Sequence, residues 1–330
     1  MTTLLLATTG GHLTQLNELS NRLPKNGAAV WVTHANEQST SMLAERDVQF
    51  VPYVGVRSMS DVLRCVPAAR RLMSSRKLTR AVSTGSGIAL GFLPYLAARG
   101  VECHYIESAA RVAGPSLTGQ ILQWIPGIRT YTQYRHWSDK RWRYGGSVFD
   151  GYQAVDGPRP LSDQGRLKDH VRVVVTAGAA TEFPFRRLFQ QLAPMLATGG
   201  PLHRATGLVP SVLWQTGDTP VDDLPFYPTP YLSAAALRTA LAEADIVISH
   251  AGTGSALTAL DSGQFPLLVA RDAAHGEVGD DHQVQLATEL SRRGLCMSRD
   301  VESITVEDLL MIMSFAVRRT STPPPFKFAQ

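Results

Sequence analysis

The chain has 330 residues, and because 44% of them are hydrophobic it can bury two cores of ordinary domain size. Its 32 Lys and Arg against 28 Asp and Glu leave a net charge of +4, which is too mild to indicate a nucleic-acid partner, and no RNA-binding or zinc-finger signature is present. Three cysteines without a C-x-x-C pair provide neither a disulfide framework nor a zinc site and are typical of a reducing cytosol.

Strands and helices alternate through the first half of the chain. Residues 3–7 predict a strand and not a signal peptide, because the run has no basic start and only a short apolar core. Glycines and polar residues at 83–87, with Pro94 beyond them, divide the uncharged stretch 81–98 into a strand, a loop and a buried helix, so we expect no transmembrane helix. Further strands are predicted at 28–33, 48–54 and 104–106, and helices at 13–23 and 61–77.

A shift to glycine, proline and polar residues predicts a linker at 151–169. It separates a domain at 1–150 from one at 170–317, and a tail at 318–330 follows. Strands of the second domain are predicted at 171–176, 209–215, 245–248 and 267–270, and helices at 184–197, 232–243, 281–293 and 306–317. The pattern indicates the α/β class with two Rossmann-like parallel sheets, whose ligands would lie at the carboxyl ends of strands and in a cleft between the domains.

The stretch from 246 to 283 has the clearest site pattern. The run Ile246–Ile248 predicts a buried strand, Gly252 and Gly254 predict a turn, and a helix follows near Ser255. Unpaired N–H groups in a first helical turn, reinforced by the helix dipole, bind phosphate or carboxylate. An ordinary tight turn is the alternative, since it needs the same small residues.

In the first domain, His12, Ser86 and Glu107 each follow a predicted strand and are expected to share one edge of the sheet. The glycines beside Ser86, with Glu107 about 20 residues on, also fit a weak dinucleotide-loop pattern. The absence of H-E-x-x-H, G-x-S-x-G and P-loop patterns speaks against a zinc protease, an α/β-hydrolase and an ATPase. No histidine and carboxylate cluster has metal spacing, although Asp280 and Asp281 form an acidic pair that could bind a cation.

Two sets of motifs resemble known transferases. VVVTAGAATEFPFRRL and ADIVISHAGTGSALTALDSGQFP, followed by DDHQ, resemble the donor half of inverting glycosyltransferases of the GT-B fold and of the glycosyltransferase family 28 type. The motifs TGGH, STGSG, YIE and SLTG of the first half are similar to the membrane-recruiting acceptor subunit of the eukaryotic two-subunit enzyme that adds N-acetylglucosamine to a dolichol-linked sugar. The resemblance covers nearly the whole chain, and the two motif sets stand in the expected order.

A narrower resemblance is to bacterial exopolysaccharide glucuronosyltransferases, in which both halves act on a polyprenyl-diphosphate-linked sugar. It rests on LTAL at 257–260 and HGE at 275–277, ahead of 280–283. At Thr258 the better-known relatives carry a glutamate that holds the ribose, and Glu277 could replace it. This chain would then be a fusion of what are often two polypeptides.

The resemblance implies a donor site and an acceptor site. The donor residues would be Gly178, Thr181, His250, Gly252, Thr253, Gly254, Ser255, Thr258, Arg271, His275, Glu277, Asp281, His282 and Gln283, and the acceptor residues Gly10, Gly11, Ser86 and Ser116. Helix N-termini and loop amides can stabilise a nucleotide diphosphate leaving group without a metal, so we expect no metal and no cofactor. Arg271 could pair with a sugar carboxylate, the alternative being an ordinary surface arginine.

The reaction also needs a general base, and His12 and Glu107 both qualify. We favour His12 because a histidine titrates near neutrality, whereas Glu107 would need a raised pKa or would have an orienting role. Either residue could instead be structural, with His12 capping its helix or contacting the acceptor diphosphate.

We therefore expect an inverting enzyme that moves a hexuronic acid, most directly glucuronic acid, or an N-acetylhexosamine from a UDP-sugar to a polyprenyl-diphosphate-linked glycan. Exopolysaccharide or cell-surface glycan synthesis is the implied setting. A UDP-sugar epimerase of the same fold is one alternative, and a non-catalytic membrane scaffold or acceptor-binding partner is another.

Two features predict that the protein is cytoplasmic and binds peripherally to the inner face of the plasma membrane. The helix that carries Arg64 to Lys77 is amphipathic and basic. Beyond it, the uncharged segment 112–128 and the aromatic and basic run that follows contribute Trp124, Trp137 and Trp142. The alternatives are a solvated basic face, and a core helix followed by a hydrated loop.

Overall fold

The computed structural model describes residues 1–24, 27–55, 58–157, 169–178 and 183–328. The chain divides into a first domain, Met1–Asp150 with Pro323–Gln330, and a second domain, Gly151–Thr322. The chain therefore leaves the first domain once and returns to it for its last residues.

The described strands of the first domain form one parallel sheet in the order β3-β2-β1-β4-β5-β6-β7. They are β1 (Thr2–Ala7), β2 (Ala28–Thr33), β3 (Val48–Phe50), β4 (Leu78–Gly85), β5 (Glu102–Ile106), β6 (Ile128–Thr132) and β7 (Trp142–Tyr144). The sequence order reverses between β1 and β4, where Leu4 of β1 lies between Val30 and Ala81. Ligands of such sheets bind at this reversal, beyond the carboxyl ends of the strands.

Helices cover both faces of this sheet. They are α1 (Gly11–Ser20), α2 (Glu37–Met42), α3 (Met59–Ser75), α4 (Gly87–Ala97) and α5 (Leu117–Leu122). Helix α4 buries Ile88, Phe92 and Leu96 completely, which explains why 81–98 carries no charge and confirms the expectation of a strand, a loop and a buried helix. No helix in the described part of the chain is long and apolar enough to cross a membrane.

The second domain contains a parallel sheet in the order β11-β10-β9-β12-β13-β14, with its reversal between β9 and β12. Its strands are β8 (Tyr152–Asp156), β9 (His170–Thr176), β10 (Val209–Gln215), β11 (Pro228–Thr229), β12 (Ile246–His250), β13 (Leu267–Val269), β14 (Met297–Arg299) and β15 (Phe315–Arg319). Its helices are α6 (Arg186–Met195), α7 (Pro201–Thr206), α8 (Ala234–Glu243), α9 (Thr253–Asp261), α10 (His282–Arg292) and α11 (Val306–Ile312). The predicted fold class, two Rossmann-like parallel-sheet domains, is confirmed.

Strands β8 and β15 pair with each other in antiparallel orientation, apart from the main sheet. The sequence places β8 inside the predicted linker, of which 158–168 lies outside the described residues. The helix predicted at 306–317 is wrong beyond Ile312, because Phe315 to Val317 pair with β8 and the ring of Phe315 packs 5.0 Å from that of Phe265. Tertiary pairing has overridden an apolar run of helical appearance.

Helix α5 is much shorter than the uncharged segment 112–128. Pro115 and Pro126 flank it, and Ile128 already belongs to β6. The third strand also ends at Phe50 and not at Val54.

Candidate active site

The loops after β1 and β4 flank the reversal point of the first sheet. Gly10, which precedes α1, has a φ of 84°, a conformation that favours glycine. Gln38 of α2 holds its backbone: Gln38 Oε1 accepts from the Gly10 N–H at 2.5 Å, and Nε2 donates to the Gly10 carbonyl at 3.2 Å. Gly11 begins α1, and Ser86 occupies the matching place before α4. The predicted acceptor residues Gly10, Gly11 and Ser86 thus lie where these two loops meet α1 and α4.

His12 is fixed by Thr84 at the end of β4. The His12 Nδ1 lies 2.7 Å from the Thr84 carbonyl oxygen, and the Thr84 hydroxyl donates to the His12 carbonyl at 2.8 Å. A carbonyl only accepts, so Nδ1 carries the proton and Nε2 of the neutral ring is an acceptor. Burial lowers the pKa of His12; the bond to Thr84 opposes this effect and the nearby charge of Arg111 adds to it. The ring is therefore held neutral near pH 7 and can accept a proton.

Glu107 follows β5 and is 1% exposed. Its Oε1 accepts from the Tyr105 hydroxyl at 3.1 Å and the Ser108 N–H at 2.9 Å, and its Oε2 accepts from the N–H and hydroxyl of Ser116 at 2.9 and 3.0 Å. Burial raises the pKa of Glu107, and these hydrogen bonds oppose the rise. Four donors bind the two oxygens of Glu107, which indicates that this carboxylate holds the surrounding segments in place.

Ser116 is tied to this carboxylate. Its hydroxyl donates to Glu107 and also accepts from the Gly119 N–H at 3.2 Å, which caps α5. A side chain on Gly119 would begin 2.3 Å from Glu107 Oε2. Ser116 therefore supports Glu107 and the start of α5, and the acceptor contact expected for it stays a prediction.

Gly85 brings the two candidate bases into one neighbourhood. It has a φ of 104°, and a Cβ there would lie 3.0 Å from His12 Nδ1 and 3.5 Å from the Tyr105 hydroxyl. Tyr105 in turn donates to Glu107. A side chain at residue 85 would crowd the His12 imidazole, and the positive φ at this position also favours glycine.

Gln15 was missed by the sequence reading. This residue of α1 is 1% exposed, and its Nε2 donates to the Gly11 carbonyl and the Ser108 hydroxyl, both at 3.1 Å. Its Oε1 accepts from the Ala109 N–H at 2.7 Å and from Gln133 Nε2 at 3.2 Å. The start of α1 is thereby tied to the segment after Glu107. A glutamine four residues before Leu19, on the buried face of the helix, was the available signal.

In the second domain, His250 ends β12 and lies between the two loops at the reversal point. A Cβ on Gly178, after β9, would lie 2.3 Å from His250 Cε1, and one on Gly252 would lie 2.4 Å from His250 Nε2. Burial, with the charge of Arg271 beside it, lowers the pKa of His250 to about 3, so the ring is neutral. The neutral ring therefore packs against both glycine loops, and neither loop has room for a side chain at Gly178 or Gly252. Thr181, the other residue predicted in the first of these loops, lies outside the described residues.

Helix α9 begins directly after Gly252 and has no side-chain cap, so the N–H groups of its first turn are not satisfied by a capping side chain. Thr253, Gly254 and Ser255 form this turn. The Thr258 hydroxyl donates back to the Gly254 carbonyl at 2.8 Å. The helix start predicted after Gly252 is confirmed, with Thr258 one turn further along, and anion binding there stays a prediction.

Arg271, after β13, is 3% exposed and is no ordinary surface arginine. One terminal nitrogen donates to the Ala177 carbonyl at 2.9 Å, and the guanidinium lies 5.4 Å from the ring centre of Phe185. Its Nε is buried without a partner in the described residues, and burial lowers the pKa of Arg271 to about 10, with Glu277 opposing. A desolvated cation with an unsatisfied donor favours an anionic ligand.

Glu277 does not lie free to bind a ribose, which corrects that expectation. Its two carboxylate oxygens accept from Arg187 of α6 at 3.2 and 3.0 Å, and Oε2 also accepts from the Asp272 N–H at 3.0 Å. The pair ties the loop after β13 to α6, and the sequence reading missed Arg187. His275, in the same loop, is exposed and lies 3.9 Å from the Asp272 carboxylate.

The predicted hexose contacts begin α10. His282 Nδ1 contacts the Asp280 carboxylate, Asp281 is exposed, and the buried Gln283 accepts from the Arg271 N–H through Oε1 at 3.2 Å. Gln283 therefore positions Arg271. Across the ranges that the structure describes, no group of three or more His, Cys, Asp or Glu could hold a metal ion. The expected independence from metals and cofactors stays a prediction.

Comparisons with known proteins bear on the second domain most directly. Residues 172–314 match the model of the glycosyltransferase family 28 C-terminal domain. A stretch of 65 residues is 43% identical to a UDP-N-acetylglucosamine transferase subunit, ALG13, of Yarrowia lipolytica. That match covers 19% of this chain and 31% of the relative, so the chain matches about a third of the relative's length.

Solved structures resemble the whole chain in fold. MurG of Acinetobacter baumannii has a TM-score of 0.55 at 16% identity and covers 94% of this chain and 89% of its own. The spinosyn rhamnosyltransferase SpnG, solved with thymidine diphosphate, has a TM-score of 0.53 at 16% identity with coverages of 95% and 91%. A UDP-N-acetylglucosamine 2-epimerase has a TM-score of 0.58 at 10% identity with coverages of 94% and 85%. The chain thus has the GT-B fold, and its residues 172–314 match the C-terminal domain of glycosyltransferase family 28.

Proposed function

We propose that this chain is an inverting, metal-independent glycosyltransferase that moves glucuronic acid from a UDP-sugar to a polyprenyl-diphosphate-linked glycan, in exopolysaccharide or cell-surface glycan synthesis. One observation carries the proposal. The segment that matches the family 28 domain puts Gly178, Gly252 and the uncapped start of α9 at the reversal point of its sheet, where parallel α/β sheets bind nucleotides. The named activity of the partial relative and the nucleoside diphosphate bound to SpnG support a UDP-sugar as donor.

In the first domain, we assign the proton transfer to His12. The acceptor hydroxyl attacks C1 of the donor sugar and gives its proton to His12 Nε2. The bond from C1 to the diphosphate oxygen breaks with its electron pair, so UDP leaves and the anomeric configuration inverts. The hydrogen bond of His12 Nδ1 to Thr84 selects the tautomer for this role, and the four donors on Glu107 give it the orienting role.

In the second domain, the leaving diphosphate needs stabilisation of its charge. The backbone N–H groups of Thr253 to Ser255 and the dipole of α9 supply it without a metal or cofactor. His250 lies between the two glycine loops and is neutral, so the charge stabilisation is assigned to the helix start and not to this ring.

Arg271 supports glucuronic acid among the UDP-sugars. Its guanidinium is desolvated, and its Nε has no partner in the described part of the chain, so a sugar carboxylate would satisfy a group that neutral hexoses leave unpaired. An unpaired buried donor costs about 1–3 kcal/mol, which corresponds to a preference of roughly 5–150-fold.

A thermal-shift series with UDP-glucuronic acid, UDP-glucose and UDP-N-acetylglucosamine tests the donor. We expect the largest rise in melting temperature with UDP-glucuronic acid, since a ligand of the native state stabilises according to its affinity. Arg271→Met should remove its advantage over UDP-glucose and leave UDP-glucose binding in place. Arg238→Met, at an exposed position of α8, is the matched control. Equal shifts with all three UDP-sugars would reject glucuronic acid as the preferred donor.

Turnover separates the candidate reactions. With a polyprenyl-diphosphate-linked sugar present, the purified chain should release UDP, and without it release should stop. The alternative of N-acetylglucosamine transfer, favoured by the partial relative, predicts the same dependence with UDP-N-acetylglucosamine as donor. The epimerase alternative, whose fold a solved 2-epimerase shares, predicts conversion of UDP-sugar without any acceptor. No UDP release from any of these donors would contradict the transferase proposal.

We also propose that the first domain rests on the inner surface of the plasma membrane. Exposed apolar residues lie on α3, on α5 and directly after α5: Met59, Leu63, Leu117, Ile121 and Trp124. The basic residues from Arg64 to Lys77, on α3 and directly after it, are exposed, and the guanidinium of Arg141 lies 3.9 Å from the ring centre of Trp124. Trp142 is 3% exposed and packs in the core, so it was wrongly expected at the surface, and Trp137 is partly buried because it packs against Trp142.

Sedimentation with vesicles containing phosphatidylglycerol checks this surface. At low salt the chain should pellet with the vesicles, and binding should weaken as salt rises because the basic contribution is screened. Replacing Leu63 and Trp124 together by serine should reduce binding, whereas Met311→Ser, at an exposed site of the second domain, should not. Failure of the unaltered chain to pellet at low salt would remove the proposal.

A further inference from the structure

The last described residues of the chain, Pro323 to Phe328, belong to the first domain although they follow the second in sequence. Phe326 is 1% exposed, Phe328 is partly buried and Lys327 between them is exposed. The alternation is that of an extended segment that presents every second side chain to a surface. A frayed chain end would not bury a phenylalanine completely.

The two rings cover a face of the first sheet. Phe328 stacks on His104 at 3.8 Å between ring centres, and Phe326 and Phe328 lie 5.8 and 5.5 Å from Tyr131. His104 alternates along β5 with Cys103 and Tyr105, which pack in the core on the other face. The tail thus covers the face of β5 and β6 that carries His104 and Tyr131.

Backbone hydrogen bonds fix the register of the tail. The Phe326 N–H donates to the Arg22 carbonyl at 2.9 Å, and the Lys327 N–H donates to the Gly145 carbonyl at 2.8 Å. The buried Arg22 side chain donates from Nε to the Pro324 carbonyl at 2.8 Å and from another nitrogen to the Ser147 carbonyl at 2.6 Å. Arg22 therefore holds the returning segment beside the one that leaves the domain.

The seat is shaped for an aromatic ring. A Cβ on Gly145 would lie 2.5 Å from the Phe326 ring, so a glycine leaves the space that the ring fills. Pro323 to Pro325 restrict the free segment to extended conformations, which lowers the entropy lost when it binds. Peptide ligands bind their grooves through the same features, namely buried aromatic side chains, backbone hydrogen bonds and a segment with restricted conformations.

We propose that the groove formed by Arg22, His104, Tyr131 and Gly145 is a peptide-binding site for the Pro-Phe-Lys-Phe segment of this chain at 325–328. Its occupant is this chain's own tail, and the groove recognises the segment independently of the covalent connection. Docking turns residues 323–328 into a strap that closes the chain from Gly151 to Thr322 into a loop in the folded protein, so its contacts must offset the entropy of closing that loop.

The test uses a chain that ends at Thr322 and a fluorescent peptide of residues 323–328. We expect saturable binding, an at least about tenfold weaker affinity when both phenylalanines of the peptide are alanine, and unchanged affinity when Lys327 is alanine. Gly145→Ala in the shortened chain should also prevent binding. No saturable binding to a shortened chain with native far-ultraviolet circular dichroism, or equal binding of the double-alanine peptide, would overturn the proposal.

Hydrogen exchange in the full chain keeps the proposal testable if the shortened chain does not fold. The amide protons of Phe326 and Lys327 should exchange at least roughly 100-fold more slowly than in the free peptide, and the Phe326→Ala, Phe328→Ala double variant should lose this protection. Lys327→Ala should keep it at Phe326. Free exchange of these amides in the unaltered chain would show that the strap is not docked.

Discussion

Replacing His12 by alanine should lower turnover with a lipid-linked acceptor by about 10²- to 10⁴-fold, the usual contribution of a general base. The stabilisation of the diphosphate by the second domain does not involve this ring, so donor binding should change little. The measurement is UDP release under donor saturation, with the thermal shift by UDP-sugar as the check on binding. His136→Ala, at an exposed position of the same domain, should keep normal turnover.

The pH dependence of kcat/KM tests independently whether His12 is the general base. His12 must be neutral to accept a proton, and burial lowers its pKa below the ordinary 6.5. The value of kcat/KM should therefore be level near pH 7 and fall only as the pH drops below about 6.5. A His12→Ala variant with turnover within about threefold of normal would place the base elsewhere.

Gly252→Ala should have the second large effect, a rise of at least about tenfold in the KM for the UDP-sugar and a loss of about 1–3 kcal/mol in the free energy of unfolding. The backbone of Gly252, with φ −83° and ψ 139°, suits alanine, so the cause is steric. The new Cβ would lie 2.4 Å from His250 Nε2, and the loop of Gly178 also packs against this ring, since a Cβ there would lie 2.3 Å from His250 Cε1. The ring can retreat only by displacing the loop of Gly178 or the start of α9.

A double variant tests that cause. Adding His250→Ala to Gly252→Ala removes the clash, so the double variant should be less impaired in UDP-sugar binding than the sum of the two single changes. Gly279→Ala is the control, since a Cβ there meets nothing within 4 Å. Strictly additive effects would mean that the loop, and not the imidazole, sets the requirement for glycine.

The donor half was predictable in outline because its signals are local. Glycines next to an apolar β-branched run indicate a strand, a turn and a helix start, and the structure has β12, Gly252 and α9 in that order. The pattern could not show that the ring of His250 packs against both glycine loops and requires glycine in each. Gly178 and Gly252 are 74 residues apart in sequence and meet only through the ring between them.

Long-range contacts also explain the errors. Glu277 looked available for a ribose, but Arg187, which is 90 residues away in sequence, takes both of its oxygens. Trp142 looked suited to a lipid headgroup, but β7 places it in the core beside Trp137. A residue type indicates which partners are possible, and tertiary packing chooses among them.

The sequence by itself determined the alternation of strands and helices, the two Rossmann-like domains and the carboxyl-edge position of His12, Glu107 and the α9 loop, because these follow from periodicity and strand order. Only the tertiary structure decided which nitrogen of His12 can accept a proton, that Glu107 is saturated by donors, and that the tail returns to the first domain. These properties depend on contacts between residues distant in sequence, such as His12 with Thr84 and Arg22 with Pro324, and local patterns do not encode them.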